Sequence, residues 1–203
     1  MKNSTDIWTA PATLTGRKLK LEPASLDHLH SLAENLLHPQ SWHGIHWGIQ
    51  KKDDLQKMVL ERAIKARNEQ TGNCFAMIDL ATGKAVGLSN LMNFNRRHNF
   101  LEIGGTWVSH YFQKSFVNTE AKLLMLSYVF EKLGCLRVEF RVDSLNFNSQ
   151  RAVLRLGAKY EGELRQTALL PDGRKRDYRI YSILDSEWAN CKLTLTQHLD
   201  KYV

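Results

Sequence analysis

The feature that most constrains the fold is a long helix whose apolar residues surround most of its circumference. The segment Thr119 to Leu133 is apolar at most of its positions, and Gly134 follows it as a C-terminal stop. A helix of this kind must be buried over much of its surface. The segment before it, Asn99 to Val108, has the pattern of a strand, and the loop between them includes QKSFVN, residues 113–118.

Further strands and helices surround this central unit. Strands are predicted at 18–22, 73–79, 85–92, 99–108 and 136–142, and on both sides of the turn Pro171–Gly173. Helices are predicted after Ser25, from Asp53 or Asp54, over Asn146 to Leu156 and after Asp185. This order predicts an α/β (α+β) fold, a mixed sheet with helices on its faces, and not a doubly wound dinucleotide fold, which alternates throughout.

Length and composition favour one domain in a reducing compartment. With 203 residues and 43% apolar content, we expect a single domain over 1–203, with a loose lead-in at 1–15 and a C-terminal helix at 185–203. Cys74, Cys135 and Cys191 are widely separated and odd in number, which argues against a disulfide framework or a zinc site. No apolar stretch is long enough to span a bilayer, so we expect a soluble, cytoplasmic protein without a membrane partner.

The net charge of +7 favours polyanionic partners in general. The basic residues are dispersed along the chain, which is typical of a solvated basic surface and does not favour dedicated nucleic-acid binding. We expect no DNA partner.

The loop before the central helix has the geometry of an anion site. Backbone N–H groups at a helix N-terminus present about half a positive charge, which suits a pyrophosphate. Every helix start shares this property, so the surrounding motifs decide the interpretation.

Those motifs, in order, resemble the GNAT superfamily of acyl-CoA-dependent N-acetyltransferases. The resemblance rests on QKSFVNTEAK at the helix start and NFNSQRAVLRLGAKYEGELR beyond the next strand, and it extends from Leu14 to Trp188. The ribosomal-protein N-terminal acetyltransferases are the most similar branch. The resemblance implies a mostly antiparallel central sheet of about seven strands, acetyl-CoA as the co-substrate, no metal and a primary amine as the acceptor.

The resemblance also implies a donor site at the loop. The family pattern Q/R-x-x-G-x-G/A maps Gln113 to its first position, Phe116 to its glycine and Asn118 to its last small residue. The Phe116 side chain either points away from the loop amides or narrows the site, and Lys114 can pair with phosphate. The expected cofactor-binding residues are Val108, Gln113, Lys114, Ser115, Phe116, Val117, Asn118, Thr119, Asn146 and Ser149.

Asn146 and Ser149 match the family's N-x-x-S element, where the asparagine meets the pantetheine arm. Both are also good N-cap residues, and the two interpretations stay open. Many relatives have a tyrosine four residues later that protonates the thiolate, but Val153 stands there. The resemblance therefore makes Ser149 the candidate catalytic acid or thiol-orienting group.

A weak base suffices if the acceptor is an α-amino group, whose pKa is about 8. The candidates are Glu102 on the strand before the loop, Glu161, Glu163 or water. Of these, Glu102 is our first choice for the catalytic base. The resemblance also implies that the strand end at 106–108 separates from its neighbour and contacts pantetheine.

The acceptor site is expected to involve Trp42, Trp47 and Asp177. The two tryptophans either line the acceptor pocket or anchor the loop HPQSWHGIHWG to the core. Asp177 matches an acceptor-site position, although an ion pair with Arg174 or Arg176 explains it equally well. Three histidines in the same loop, His38, His43 and His46, lack the carboxylate or cysteine that would complete a metal site.

The sequence is also consistent with two other functions. Phe116 and Val153 are consistent with a non-catalytic acyl-CoA-binding domain, and the net charge is consistent with a basic ribosome- or RNA-associating protein. The sequence allows either a monomer or a homodimer.

Overall fold

Eight strands form one mixed sheet in a computed structural model that describes Trp8 and residues 12–37 and 52–202. The strands are β1 Leu14–Thr15, β2 Leu19–Pro23, β3 Asn73–Asp79, β4 Ala85–Asn95, β5 Phe100–Val108, β6 Arg137–Asp143, β7 Lys159–Leu169 and β8 Lys175–Leu184. Their spatial order is β1-β2-β3-β4-β5-β6-β8-β7, and all neighbours are antiparallel except the parallel pair β5 and β6. The predicted sheet is confirmed, with one strand more than the approximate seven.

Helices cover both faces of this sheet. They are α1 Leu29–Leu36, α2 Lys52–Leu55, α3 Arg62–Asn68, α4 Phe116–Ser127, α5 Phe147–Arg155 and α6 Asp185–Asp200. One apolar cluster joins α1, α2 and α3 to the sheet, and a larger one joins α4, α5 and α6 to the opposite face. All seven residues of β3 are buried because helices cover it on both sides. No helix in the described ranges combines the length and apolar content needed to cross a bilayer.

The central helix differs in its bounds from the prediction over Thr119 to Leu133. It begins three residues earlier, at Phe116, and its regular α-helical part ends at Ser127, after which a wide π-helical turn continues to Lys132. The predicted stop is in place, since Gly134 has a φ of +67°.

The expected lead-in contains ordered structure. The strand β1 pairs with β2, with Leu14 opposite Leu21. Trp8 is buried, its ring lies edge-on against Phe94, and its carbonyl accepts a hydrogen bond from the side chain of Asn73. Packing of Trp8 beside β3 and β4, and pairing of Leu14 with β2, therefore give this segment contacts that composition alone does not predict.

Candidate active site

The strands β5 and β6 separate partway along the sheet. They pair only from Phe100 to Glu102, opposite Arg137 to Glu139. Beyond this point β5 remains bonded to β4 and β6 remains bonded to β8. The backbone of β5 from 103 to 108 therefore faces a wedge-shaped opening with groups that no longer pair with β6, and such groups can bind an extended ligand. The separation confirms the expected splay, and Val108 lies at its open end.

The loop from β5 to α4 ends in a serine cap. The hydroxyl of Ser115 donates to the carbonyl of Phe112 at 2.6 Å and accepts the amide of Val117 at 3.3 Å. The remaining amides of the first helical turn have no partner within the helix, as at any helix N-terminus. They lie next to the open end of the wedge, because this loop follows directly from β5.

Phe116 does not occupy a backbone conformation that requires glycine. It is the first residue of α4, whereas the left-handed residue of the loop is Lys114, with a φ of +58°. The expectation that QKSFVN is entirely loop is therefore wrong. The Ser115 cap explains the early helix start, and a serine at this position is a recognised sequence signal.

The Phe116 ring lies on the side of α4 that faces the chain end. Its centroid is 6.5 Å from that of Tyr202, in an edge-on arrangement, and 5.9 Å from the ammonium of Lys18. The hydroxyl of Tyr202 lies 3.5 Å from the carbonyl oxygen of Lys114, and Lys18 donates to the carbonyl of Tyr202. These contacts hold the ring between α4 and the segment after α6.

The other predicted loop residues divide into core and surface. The Val117 side chain is fully buried in the larger core, so only its backbone belongs to the loop. Gln113 and Lys114 are exposed, and Asn118 and Thr119 are half-buried.

A buried lysine lies between α4 and the strands β4 and β5, and it was not identified from the sequence. The ammonium of Lys122, on α4, is 2.8 Å from the hydroxyl of Ser89 and 2.5 Å from that of Thr106, and these two hydroxyls lie 2.8 Å apart. Burial lowers the pKa of Lys122 to about 7. The sequence signal was a lysine inside a helix predicted to be buried on most sides.

Glu102 occupies the apex of the wedge. It is the last residue of β5 that pairs with β6, and it is only 6% exposed. Its neighbours Leu101 and Ile103 belong to the core beneath α4, so Glu102 points to the face of α1–α3. Its carboxylate accepts from Asn93 at 2.7 Å. Burial raises the pKa of Glu102, and the Asn93 hydrogen bond and the charge of Arg141 oppose this rise.

The other candidate bases are held in ion pairs. Arg137 forks onto both carboxylate oxygens of Glu161, which also accepts from Ser182 at 2.6 Å. The hydrogen bond from Arg137 lowers the pKa of Glu161. Glu163 pairs with Arg179 at 3.2 Å. Glu102 is therefore the candidate carboxylate whose proton affinity is dominated by burial.

Asn146 caps the start of α5. Its side-chain oxygen accepts the amide of Ser149 at 3.0 Å, so Asn146 is the N-cap of the helix. The Ser149 side chain is half-buried, and its hydroxyl has no hydrogen-bond partner within residues 12–37 and 52–202. Val153 is buried in the core, and its aliphatic side chain has no group that can transfer a proton.

Asp177 has a backbone partner that the sequence did not indicate. Its carboxylate accepts the amide of Gln166, a residue of β7 with a φ of +50°. Arg174 and Arg176 instead bind Asp143, at 2.6 and 2.9 Å. The suggested ion pair between Asp177 and these arginines is wrong, and Asp177 stabilises an irregularity in the β7–β8 hairpin.

The loop containing Trp42, Trp47 and the three histidines lies outside the described residues. In the ranges that the structure does describe, no group of three or more histidine, cysteine, aspartate or glutamate side chains is arranged to hold a metal ion.

Comparisons with known proteins agree with this geometry. The family model described as "Acetyltransferase (GNAT) domain" matches residues 18–159. YdaF of Bacillus subtilis (strain 168), provisionally named a ribosomal N-acetyltransferase, is 30% identical over 113 residues, which are 56% of this chain and 61% of YdaF. The chain thus spans less than two thirds of that relative.

Two solved structures extend the comparison over nearly the whole chain. A provisionally named acetyltransferase from T. thermophilus is 32% identical, with a TM-score of 0.82 and coverage of 93% of this chain and 97% of that one. Mycobacterium smegmatis RimJ in complex with CoA-disulfide has a TM-score of 0.79 at 17% identity, covering 94% and 96%, and this similarity supports the fold alone. With the splayed strands, the capped helix and the family match over most of its length, the chain belongs to the GNAT family of acetyltransferases.

Proposed function

We propose that this protein transfers an acetyl group from acetyl-CoA to the N-terminal amine of a peptide or protein. The observation that carries the proposal is the wedge between β5 and β6, with buried Glu102 at its apex and the N-terminus of α4 beside its open end. GNAT acetyltransferases use acetyl-CoA, and this supports our assignment of a donor site to the wedge.

The donor site is assigned to the loop and the open edge of β5. The free amides of the first turn of α4 face a pyrophosphate, and exposed Lys114 adds a positive charge. The backbone of β5 beyond Glu102, on the side where it no longer pairs with β6, holds the pantetheine arm. The contacts of the Phe116 ring with Tyr202 and Lys18 support the alternative in which the ring points away from the amides.

Glu102 and Ser149 receive the two proton-transfer roles. Acetyl-CoA supplies the thioester whose carbonyl carbon the amine attacks. Glu102 accepts the proton that the amine loses as the C–N bond forms. The Ser149 hydroxyl orients or protonates the sulfur as the C–S bond breaks. A raised pKa suits Glu102 to this role, because a base works best when its pKa approaches the operating pH.

An α-amine is the favoured acceptor. Its pKa of about 8 leaves a useful neutral fraction at pH 7, whereas a lysine amine near 10.4 is almost wholly protonated. The chain's net charge of +7 also disfavours polycationic acceptors such as aminoglycosides and polyamines. YdaF is provisionally named a ribosomal N-acetyltransferase, and this name supports a protein as the acceptor.

Thermal unfolding with acetyl-CoA, followed by a thiol-release assay, tests the proposal. A ligand at one hundred times its Kd adds about 2.7 kcal/mol, which raises the midpoint by about 5 to 11 °C for a chain of this size. We expect this rise, together with release of CoA when tripeptide amides are added. A rise without release from a broad peptide and amine panel would favour the acyl-CoA-binding alternative. Absence of both would reject the donor site.

A further inference from the structure

Arg141 lies at the wedge, and only the Nε of its guanidinium contacts other described residues. It is two residues beyond Glu139, the last residue of β6 that pairs with β5. At Arg141, therefore, β6 no longer pairs with β5. Its Nε is 2.7 Å from Oε1 of Glu139 and 3.5 Å from Oε2 of Glu102. Its two terminal amino groups have no hydrogen-bond partner in the part of the chain that the structure describes, and the side chain is 42% exposed.

Arg137 offers a direct comparison on the same strand and face. Both arginines bind Glu139, but the terminal amino groups of Arg137 also bind the carboxylate of Glu161. Its side chain is 24% exposed. The terminal amino groups of Arg137 therefore all bind carboxylates of the protein, whereas those of Arg141 remain available to a ligand beside the candidate base.

We propose that Arg141 binds the carbonyl oxygen adjacent to the reacting amine, and so selects acceptors whose amine is next to a carbonyl. This inference rests on the proposed function, since it assigns part of the acceptor site for the same reaction. An amine bound at Glu102 brings its neighbouring carbonyl towards the guanidinium, because the amino nitrogen and this carbonyl belong to the same residue.

The charge of Arg141 favours the same class of acceptor. A guanidinium beside the amine disfavours its ammonium form, and only the neutral amine attacks the thioester. An amine next to a carbonyl already has a pKa near 8, so the additional cost of losing its proton is small. Lysine side chains and simple alkyl amines, with higher pKa values, lack both this advantage and the carbonyl contact.

The test compares a tripeptide amide of sequence Ser-Ala-Ala with ethanolamine, which is the same head group without the carbonyl. We expect Arg141→Met to lower kcat/KM for the tripeptide by at least about tenfold, the value of a lost hydrogen bond to a charged group. The KM for acetyl-CoA should stay within about twofold. Arg141→Lys should recover part of the loss, and Arg137→Met, the matched control, should change kcat/KM less than about threefold.

The outcomes separate the inference from the proposed function. If wild-type protein releases thiol with the tripeptide and Arg141→Met does so equally well, the inference is wrong while the function stands. Ethanolamine used as efficiently as the tripeptide by wild-type protein would also overturn it. If wild-type protein releases no thiol with any amine, the proposed function fails, and the inference fails with it.

Discussion

Lys122 makes the stability of this protein depend on pH in a calculable way. Its pKa is about 7 in the folded chain, against an ordinary value of 10.5. Between these values the unfolded chain binds a proton that the folded chain releases, so stability rises with pH. The slope is about 1.4 kcal/mol per pH unit, and the rise from pH 7.5 to 9 contributes about 2 kcal/mol. Below pH 7 the full cost of burying the ammonium is present.

Lys122→Met removes this titration and both hydrogen bonds of the ammonium, but neither hydroxyl is left without a partner. The hydroxyls of Ser89 and Thr106 lie 2.8 Å apart and continue to bond to each other. We therefore expect the variant to be more stable than wild type at pH 7.5, with an advantage that shrinks by about 2 kcal/mol at pH 9.

Urea unfolding of both proteins at pH 7.5 and pH 9 measures this difference. Lys132→Met, which changes an exposed lysine of the same helical segment, is the control and should leave the wild-type pH dependence unchanged. An advantage of Lys122→Met that is equal at both pH values would refute the assignment of a neutral buried lysine.

Three further substitutions test the site. Glu102→Gln should lower kcat at least about a hundredfold with an unchanged KM for acetyl-CoA. It should also abolish the increase in rate with pH that comes from deprotonation of this carboxyl, whose pKa is raised. The pH–rate profiles of both proteins check this, and an unchanged profile would contradict it. Phe116→Gly should lower stability by about 1 to 3 kcal/mol, because apolar burial is lost and a glycine enters the first helical turn. It should not tighten acetyl-CoA binding. Calorimetry that shows tighter binding would mean that the ring narrows the donor site. Asn146→Ala should cost about 1 kcal/mol through loss of the α5 cap, whereas Asn148→Ala should cost less, and urea unfolding distinguishes them.

Local signals in the sequence were sufficient for most elements. The turn at Pro171–Gly173, the glycine stop at Gly134 and the apolar pattern of the central helix each predict an element that the structure contains. These signals act within a few residues, so they can be read without knowledge of the fold. The early start of α4 also had such a signal, the Ser115 cap.

Long-range partners could not be predicted in this way. Asp143 binds Arg174, 31 residues away, and this pairing depends on β8 lying between β6 and β7. The partners of Lys122 lie on β4 and β5, and the sequence pattern predicts these strands without indicating which of their residues face α4. Similarly, the isolation of Glu102 from strong ion pairs, compared with Glu161, emerges only from the register of the sheet.

The site of acetylation on a single peptide tests the central claim most directly. A peptide with one free N-terminal amine and one internal lysine, incubated with acetyl-CoA and the protein, is analysed by fragment mass spectrometry. The account predicts one acetyl group on the α-amine with wild-type protein, and a loss of at least about a hundredfold in rate with Glu102→Gln. Acetylation of the lysine in preference to the α-amine, or equal rates for the two proteins, would contradict it.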